Sequence, residues 1–196
     1  MAVEEPTPLD HHIASVLERI GEVARADQWK KATASNLTPL QARLMGFVAD
    51  HASELCGVAR LASELQVSRS TVSDRVRVLV ERGLMKRVAD RTDARSHSLC
   101  LTDQGRKAIG PVVSFTALDR SIAALKKGDK ETLLLGLMNV LRLLFRDGSL
   151  EVQRMCWTCT HYRGDRRTTH RCALMDLVLK PKDLRTDCPE HVLAVA

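Results

Sequence analysis

The sequence predicts a mainly α-helical protein with one small β hairpin and a cysteine-rich C-terminal extension. Three observations carry this. Aliphatic residues recur at helical spacing over long stretches, while aromatics make up only 3% of the 196 residues. The core must then come from Leu, Val, Ile and Ala on helix faces. One stretch, between about 85 and 102, alternates instead like a pair of short strands. Finally, four of the six cysteines, Cys156, Cys159, Cys172 and Cys188, lie in the last part of the chain.

The helices follow in order. Residues 11–30 place Ile13, Val16, Leu17, Ile20 and Val23 at helical spacing. Leu40, Leu44, Phe47 and Val48 do the same in a second helix, with Thr38 suited to cap it ahead of Pro39. Residues 104–126 read as one helix kinked at Pro111. Residues 129–145, DKETLLLGLMNVLRLLF, form a helix whose apolar residues wrap most of its circumference, from Leu133, Leu134 and Leu135 to Leu143, Leu144 and Phe145. Such a helix needs cover on several sides, in the core or at a subunit interface shared with the N-terminal helix. The expected organisation is a dimerisation helix over 1–36, a central domain over 37–105, dimerisation helices over 106–148 and the cysteine tail over 149–196.

The middle of the chain carries the clearest pattern. In VARLASELQVSRSTVSDRVRVLVERGL, a helix from Val58 to Leu65 is followed by the turn Gln66-Val67-Ser68, whose serine can cap the next helix. There Val72, Val76, Leu79 and Val80 share one face, and Arg69, Ser70, Thr71, Ser73, Asp74, Arg75 and Arg77 form a polar front. This is a helix-turn-helix. Gly83-Leu84 ends it, and the strands MKRVAD and SHSLCLT follow, joined by a loop with Arg91 and Arg95 at its tip. Together they make a winged helix-turn-helix. Residues 68–107 hold ten Lys/Arg against five Asp/Glu, a local excess of five within a total of +6. Charge focused on one segment suits the phosphates of a duplex.

The stretch from LASELQVSRSTVSDRV to LCLTDQGRKAI resembles the winged helix of MarR-type transcriptional regulators. That family's wing commonly reads Asp-x-x-Asp-x-Arg, here Asp90, Asp93 and Arg95, and closes with Leu-Thr-x-x-Gly, here Leu101, Thr102 and Gly105. The resemblance covers about residues 11–145. It implies a homodimer on a pseudo-palindromic operator of double-stranded DNA, and a possible small-molecule effector in the family's cleft. It also implies recognition helices in successive major grooves and Arg95 in the flanking minor groove. By residue type, Arg69, Ser70, Thr71, Ser73 and Arg75 are candidates for base edges and nearby phosphates. Asp93 would orient Arg95, and Arg77, Lys86 and Arg91 would touch phosphates. Peroxide sensors of this family carry a reactive cysteine in their first helix, and none stands there here.

The tail spacing is Cys156-x2-Cys159-x12-Cys172-x15-Cys188. A C-x2-C pair gives two thiolates to one centre, and two single cysteines complete four ligands. Zinc sites usually bring a second knuckle, which is missing. One close pair, two singles and Pro189 after the last is a layout of iron–sulfur clusters. It is similar to that of small high-potential iron–sulfur proteins over about 35 residues. The expected cofactor is a 4Fe–4S or 2Fe–2S cluster, with Zn2+ as the alternative and a disulfide or unrelated thiols behind both. Arg163, Arg166, Arg167 and Arg171 surround the thiols in sequence and would stabilise thiolates or a negatively charged cluster, or else form a solvated loop; His161, His170 and His191 could stand in as zinc ligands but read rather as surface histidines. Trp157, Leu174, Leu177, Val178 and Leu179 are the expected anchors of the tail. Cys100 reads as a small packing residue rather than a sensor, and Cys56 stands apart just before the helix-turn-helix, with a redox role as its lesser reading.

No apolar run is long enough to span a bilayer, and the acidic MAVEEPTPLD lacks the order of a signal peptide. A cytoplasmic protein without a membrane partner is expected. No nucleophile–base pattern, phosphate loop or catalytic carboxylate pair speaks for an enzyme. The expectation is a dimeric regulator, a repressor, whose iron–sulfur tail senses redox state, oxygen or iron. The alternatives are a MarR-type regulator with structural zinc and a small-molecule effector, or a small electron-transfer protein.

Overall fold

The computed structural model describes residues 5–89, 97–114 and 116–194. The chain divides into two compact units, residues 1–50 with 73–124 and residues 51–72 with 125–196.

In the first unit, α1 (Pro8–Ala34) opens with a capping box, in which Thr7 and Asp10 satisfy each other's backbone N–H. Its stripe Leu9, Ile13, Val16, Ile20 and Val23 lies on the surface, each residue at least 37% exposed, and only Ala32 is buried. Helix α2 (Pro39–Asp50) has the reciprocal arrangement between Thr38 and Gln41 and buries Leu44, Met45 and Val48. The wing pairs β1 (Met85–Ala89) with β2 (His97–Leu101) in antiparallel register, Met85 opposite Leu101 and Ala89 opposite His97. Leu99 and Leu101 point into the core. Cys100 lies between them on the other face, opposite Lys86, and is half-buried.

The Leu-Thr-x-x-Gly closure has a physical reason. Thr102 donates its hydroxyl to the Gly83 carbonyl at 2.7 Å and accepts the Gly105 N–H at 3.0 Å, which caps α5 (Asp103–Val113). Residue 105 is thereby held so near the Leu84 backbone that a Cβ would lie 1.9 Å from its carbonyl oxygen. Only glycine fits. The single kinked helix expected over 104–126 is two helices, α5 and α6 (Ala117–Ala123). Pro111 lies inside α5, whose backbone is already extended at Ser114. The proline lacks the N–H for one intrahelical bond, and the capping box of Thr116 and Asp119 starts the next helix afresh.

In the second unit, Leu61, Ala62 and Leu65 of α3 (Val58–Leu65) are buried, and Gln66 ends the helix in the left-handed region at φ 52°. Helix α4 (Arg69–Glu81) begins in this unit and continues in the first. Helix α7 spans Lys127–Arg146. The tail adds a 3-10 turn at Cys156–Thr158 and a three-stranded antiparallel sheet in the order β3 (Tyr162–Gly164), β4 (His170–Cys172), β5 (Leu177–Val178). Its core is Met155, Trp157 and Leu184 with Met138 of α7, bordered by Leu134, Leu135, Leu141, Tyr162 and Leu179. Of the anchors expected from the sequence, Trp157 and Leu179 serve, whereas Leu174, Leu177 and Val178 are exposed. A two-residue β5 has no second layer over it. On α7, Leu133, Val140, Leu143 and Leu144 remain exposed. Among the described residues no helix is long and apolar enough to cross a membrane.

Candidate nucleic-acid interface and thiol centre

Helix α4 is amphipathic in the way the sequence predicts. Val72, Val76 and Leu79 are fully buried. Ser68 caps it by accepting the Thr71 N–H at 3.1 Å, and its hydroxyl also meets those of Ser70 (2.9 Å) and Thr71 (2.8 Å). Arg69, Ser70, Ser73, Arg75 and Arg77 are exposed along the helix, while Thr71 is half-buried. Arg77 is held by Asp74 at 3.0 Å. Lys86 is exposed on β1. Arg91, Asp93 and Arg95 lie outside the described residues.

The four tail cysteines, 32 positions apart at their extremes, line one cavity of about 30 Å³. Tyr162, Leu174, Met175 and Leu179 give it apolar walls, and His161, Arg171 and Glu190 border it. Three local devices bring the thiols there. The 3-10 turn, in which Cys159 N–H donates to the Cys156 carbonyl at 3.1 Å, sets the close pair. Pairing of β3 with β4 places Cys172 opposite Tyr162. Cys188 N–H donates to the Arg154 carbonyl at 2.9 Å and Cys156 N–H to the Arg185 carbonyl at 3.0 Å, drawing the first and last cysteines together. Burial pushes the Cys156 thiol up, and the neighbouring Cys188, Cys172 and Cys159 push it further. The Arg185 backbone N–H, 3.3 Å from Cys156 Sγ, opposes them. Raised this way, the Cys156 group favours the neutral thiol, and its anion would need a nearby positive charge or a metal to form. Among the described residues no group of three or more His, Cys, Asp or Glu side chains is arranged to hold a metal ion. Four sulfurs around one largely apolar cavity, with an N–H aimed at one of them, are a donor set of the kind that thiolate-ligated centres use.

Of the arginines expected around the thiols, only Arg171 borders the cavity. The sequence reading missed Arg185, whose guanidinium lies 3.9 Å from Cys188 Sγ. It also misplaced His170. This ring is buried, stacks on Trp157 at a centroid distance of 6.3 Å, and meets the Tyr162 hydroxyl at 2.7 Å through Nδ1. Burial lowers its pKa. His191 meets the Thr158 hydroxyl at 3.0 Å and is half-buried, like His161.

The sequence reading also missed a charge network. Arg154 is only 8% exposed. Its Nε and one terminal nitrogen reach Asp187 at 2.7 and 3.3 Å, and its other terminal nitrogen pairs with Glu64 of α3. His51 meets Asp187 at 2.6 Å. Burial alone would raise the Asp187 pKa, but the hydrogen bonds from Arg154 and His51 outweigh it and the net shift is downward.

A capped helix, tight turn, amphipathic second helix and β hairpin define a winged helix-turn-helix flanked by longer helices. Residues 35–96 match the model of the MarR family. No curated protein sequence matches the chain. Among solved structures, the chain is similar to the S. aureus MepR–DNA complex at 22% identity, over 67% of this chain and 97% of that one, with a TM-score of 0.53. It is similar to the transcriptional repressor CouR bound to a 23-mer DNA duplex at 23% identity, over 71% and 99%, with a TM-score of 0.54. The regulator Tm0710 from Thermotoga maritima gives 21% identity, 71% and 98%, and 0.51. The fold is that of the MarR winged helix.

Proposed function

We propose that the protein is a homodimeric, DNA-binding transcriptional regulator, a repressor, whose C-terminal thiol centre holds an iron–sulfur cluster and senses redox state, oxygen or iron. The observation that carries the sensor half is the convergence of Cys156, Cys159, Cys172 and Cys188 on one cavity. The DNA-binding half rests on the exposed basic front of α4 and on the family match of residues 35–96. Two structures of this fold, MepR and CouR, contain DNA. In this reading Arg69, Ser70, Thr71, Ser73 and Arg75 face base edges, while Arg77, Lys86 and Arg91 face phosphates. Arg95, oriented by Asp93, enters the minor groove. The dimer is supported by the exposed stripe on α1, whose spacings of four, three, four and three residues are those of a helix–helix seam. This is a regulator of the cytoplasm rather than an enzyme.

Cysteine thiolates would hold the cluster, and the Arg185 N–H and the arginines at the cavity would offset its negative charge. A cluster there supplies a one-electron step or an oxygen-labile link. Zinc is the second reading, favoured by the small size of the cavity. Protein purified without oxygen is expected to be brown, to contain iron and acid-labile sulfide, and to bind a palindromic duplex with affinity that falls steeply with salt. Colourless protein with stoichiometric zinc would leave the four ligands and remove the cluster. Salt-insensitive or absent duplex binding would remove the regulator.

A further inference from the structure

Arg154 stands where the tail and the helix-turn-helix meet within one compact unit. That unit contains α3, the turn, the first residues of α4 and the tail together. The backbone of Arg154 forms a parallel bridge with Asp187, and its carbonyl takes the Cys188 N–H. Its side chain divides between Asp187 and Glu64. One residue therefore fixes the segment carrying Cys188 and grips the C-terminal turn of α3.

The grip is not a solvated ion pair. The Arg154 and Glu64 side chains are 9% and 8% exposed. A buried pair of this kind is sensitive to loss of either partner, because the remaining charge is left desolvated. The planar guanidinium serves two carboxylates at once, which a lysine cannot reproduce. Asp187 also meets His51 at 2.6 Å, and His51 lies 3.4 Å from Arg154, so the segment ahead of α3 joins the same charge cluster as Glu64. Downstream, Gln66 N–H and Val67 N–H donate to the Ser63 and Ala62 carbonyls, which passes the placement of α3 into the turn and so to the cap of α4. Residues 148, 149 and 151 line the same groove as Gln66, Val67, Ser68 and Arg69.

We infer that Arg154 is the positioning residue that couples the thiol centre to the DNA-reading helix, through Asp187 on the Cys188 side and Glu64 on the α3 side. This rests on the thiol centre and DNA binding proposed above. When the centre is intact, the 185–188 segment stays hydrogen-bonded to 154–156 and holds Arg154 on Glu64. When the centre is lost, the segment loosens and Arg154 loses one of its two carboxylates. Glu64 then falls back on Arg60, its neighbour on α3 at 3.0 Å, and α3 is released from the tail.

The test uses the full chain and the tightest duplex selected from a random pool by the wild-type protein. Duplex affinity is measured before and after metal is stripped with a chelator. Stripping should change wild-type affinity by about 5–150-fold, the range of allosteric couplings. Glu64→Gln should keep its metal content but show a change of less than about 2-fold, far below that range. Amide exchange at Cys156 and Cys188 should quicken in Glu64→Gln even in the metal-free state, a readout independent of any bound group. Arg154→Lys, which keeps the charge and loses the fork, should behave the same way and serves if Glu64→Gln fails to fold. A variant that retains the full wild-type fold-change, or unchanged amide exchange at Cys156 and Cys188, overturns the coupling while leaving the centre in place. A wild-type chain that binds no metal instead overturns the sensor reading, and the exchange measurement still decides whether Arg154 links the tail to α3.

Discussion

Among the described residues there are two antiparallel sheets, the two-stranded wing and the three-stranded tail sheet, and they are held by different means. In the wing, Leu84, Met85, Leu99 and Leu101 are all at most 4% exposed, so β1 and β2 lie on an aliphatic core. In the tail, β5 leaves Leu177 47% and Val178 75% exposed, and the turn between β3 and β4 is organised by one carboxylate. Asp165 accepts the N–H groups of Arg167, Thr168 and Thr169 at 2.8–2.9 Å and the Thr168 hydroxyl at 2.6 Å. Burying an aliphatic side chain stabilises by about 1.5–3 kcal/mol, whereas a net hydrogen bond contributes about 0.5–1.5 kcal/mol. The wing hairpin can stand on burial. The tail sheet has Met155, Trp157 and Leu184 beneath it and little above, so on the proposed reading its order leans on the centre that the four thiols would form.

The sharpest way to break this contrast is to remove one thiol. Cys172→Ser should abolish metal retention and loosen β3, β4 and β5, while the wing stays ordered. Structural metal centres contribute about 10–16 kcal/mol to folding small domains, so this is the largest effect expected. Cys100→Ser, on the half-buried face of β2, should change neither. Hydrogen exchange read peptide by peptide separates the two sheets. Wild-type protection of 162–178 in Cys172→Ser would show that the tail needs no centre.

A second substitution attacks the wing side. Gly105→Ala brings a Cβ against the Leu84 carbonyl, and because both partners are backbone the clash is relieved only by shifting the hairpin from its helix. Overpacking of this kind costs about 1–3 kcal/mol. Thermal unfolding followed by circular dichroism should show a lower midpoint for the helical transition with metal content unchanged. An unaltered midpoint would mean that the hairpin and α5 do not approach so closely.

The same contrast explains what was legible in the sequence. Aliphatic periodicity carries the helices, and the Thr102–Gly105 closure and the Ser68 cap are local, so the winged helix could be read element by element. The cysteine spacing pointed to one centre, and the four thiols share a cavity. What could not be read depends on pairs distant in sequence. Arg154 meets Glu64 across 90 positions and Asp187 across 33, and neither spacing leaves a local pattern. His170 alternates with exposed Arg171 in β4, which hinted at an inward ring, but burial of a histidine depends on the Trp157 and Tyr162 that happen to receive it. Pro111 was read as a kink because a helix was assumed on both sides, whereas the capping box of Thr116 and Asp119 restarts the chain.

The smallest effect expected lies in the turn that Asp165 organises, and it tests whether that turn is independent of the thiols. The Thr168 hydroxyl, then the Thr169, Arg167 and Thr168 N–H groups, hold the Asp165 carboxyl well below the ordinary carboxylate value of 3.8. A depressed folded pKa means that the stabilisation is fully present above the unfolded value and is lost as pH falls through the folded one. Protonation of the thiolates releases metal at higher pH than this, so acidification should separate two events. The sheet should loosen first, as the centre goes, while the 165–169 turn persists to lower pH. The carboxyl carbon shift of Asp165, followed by NMR in Cys172→Ser, should titrate below 3.8 even without the centre. Asp165→Asn should quicken exchange at the Arg167, Thr168 and Thr169 amides at neutral pH and leave metal content as it is. Titration of Asp165 at its ordinary value in the metal-free protein would mean that the turn, too, is held by the thiols.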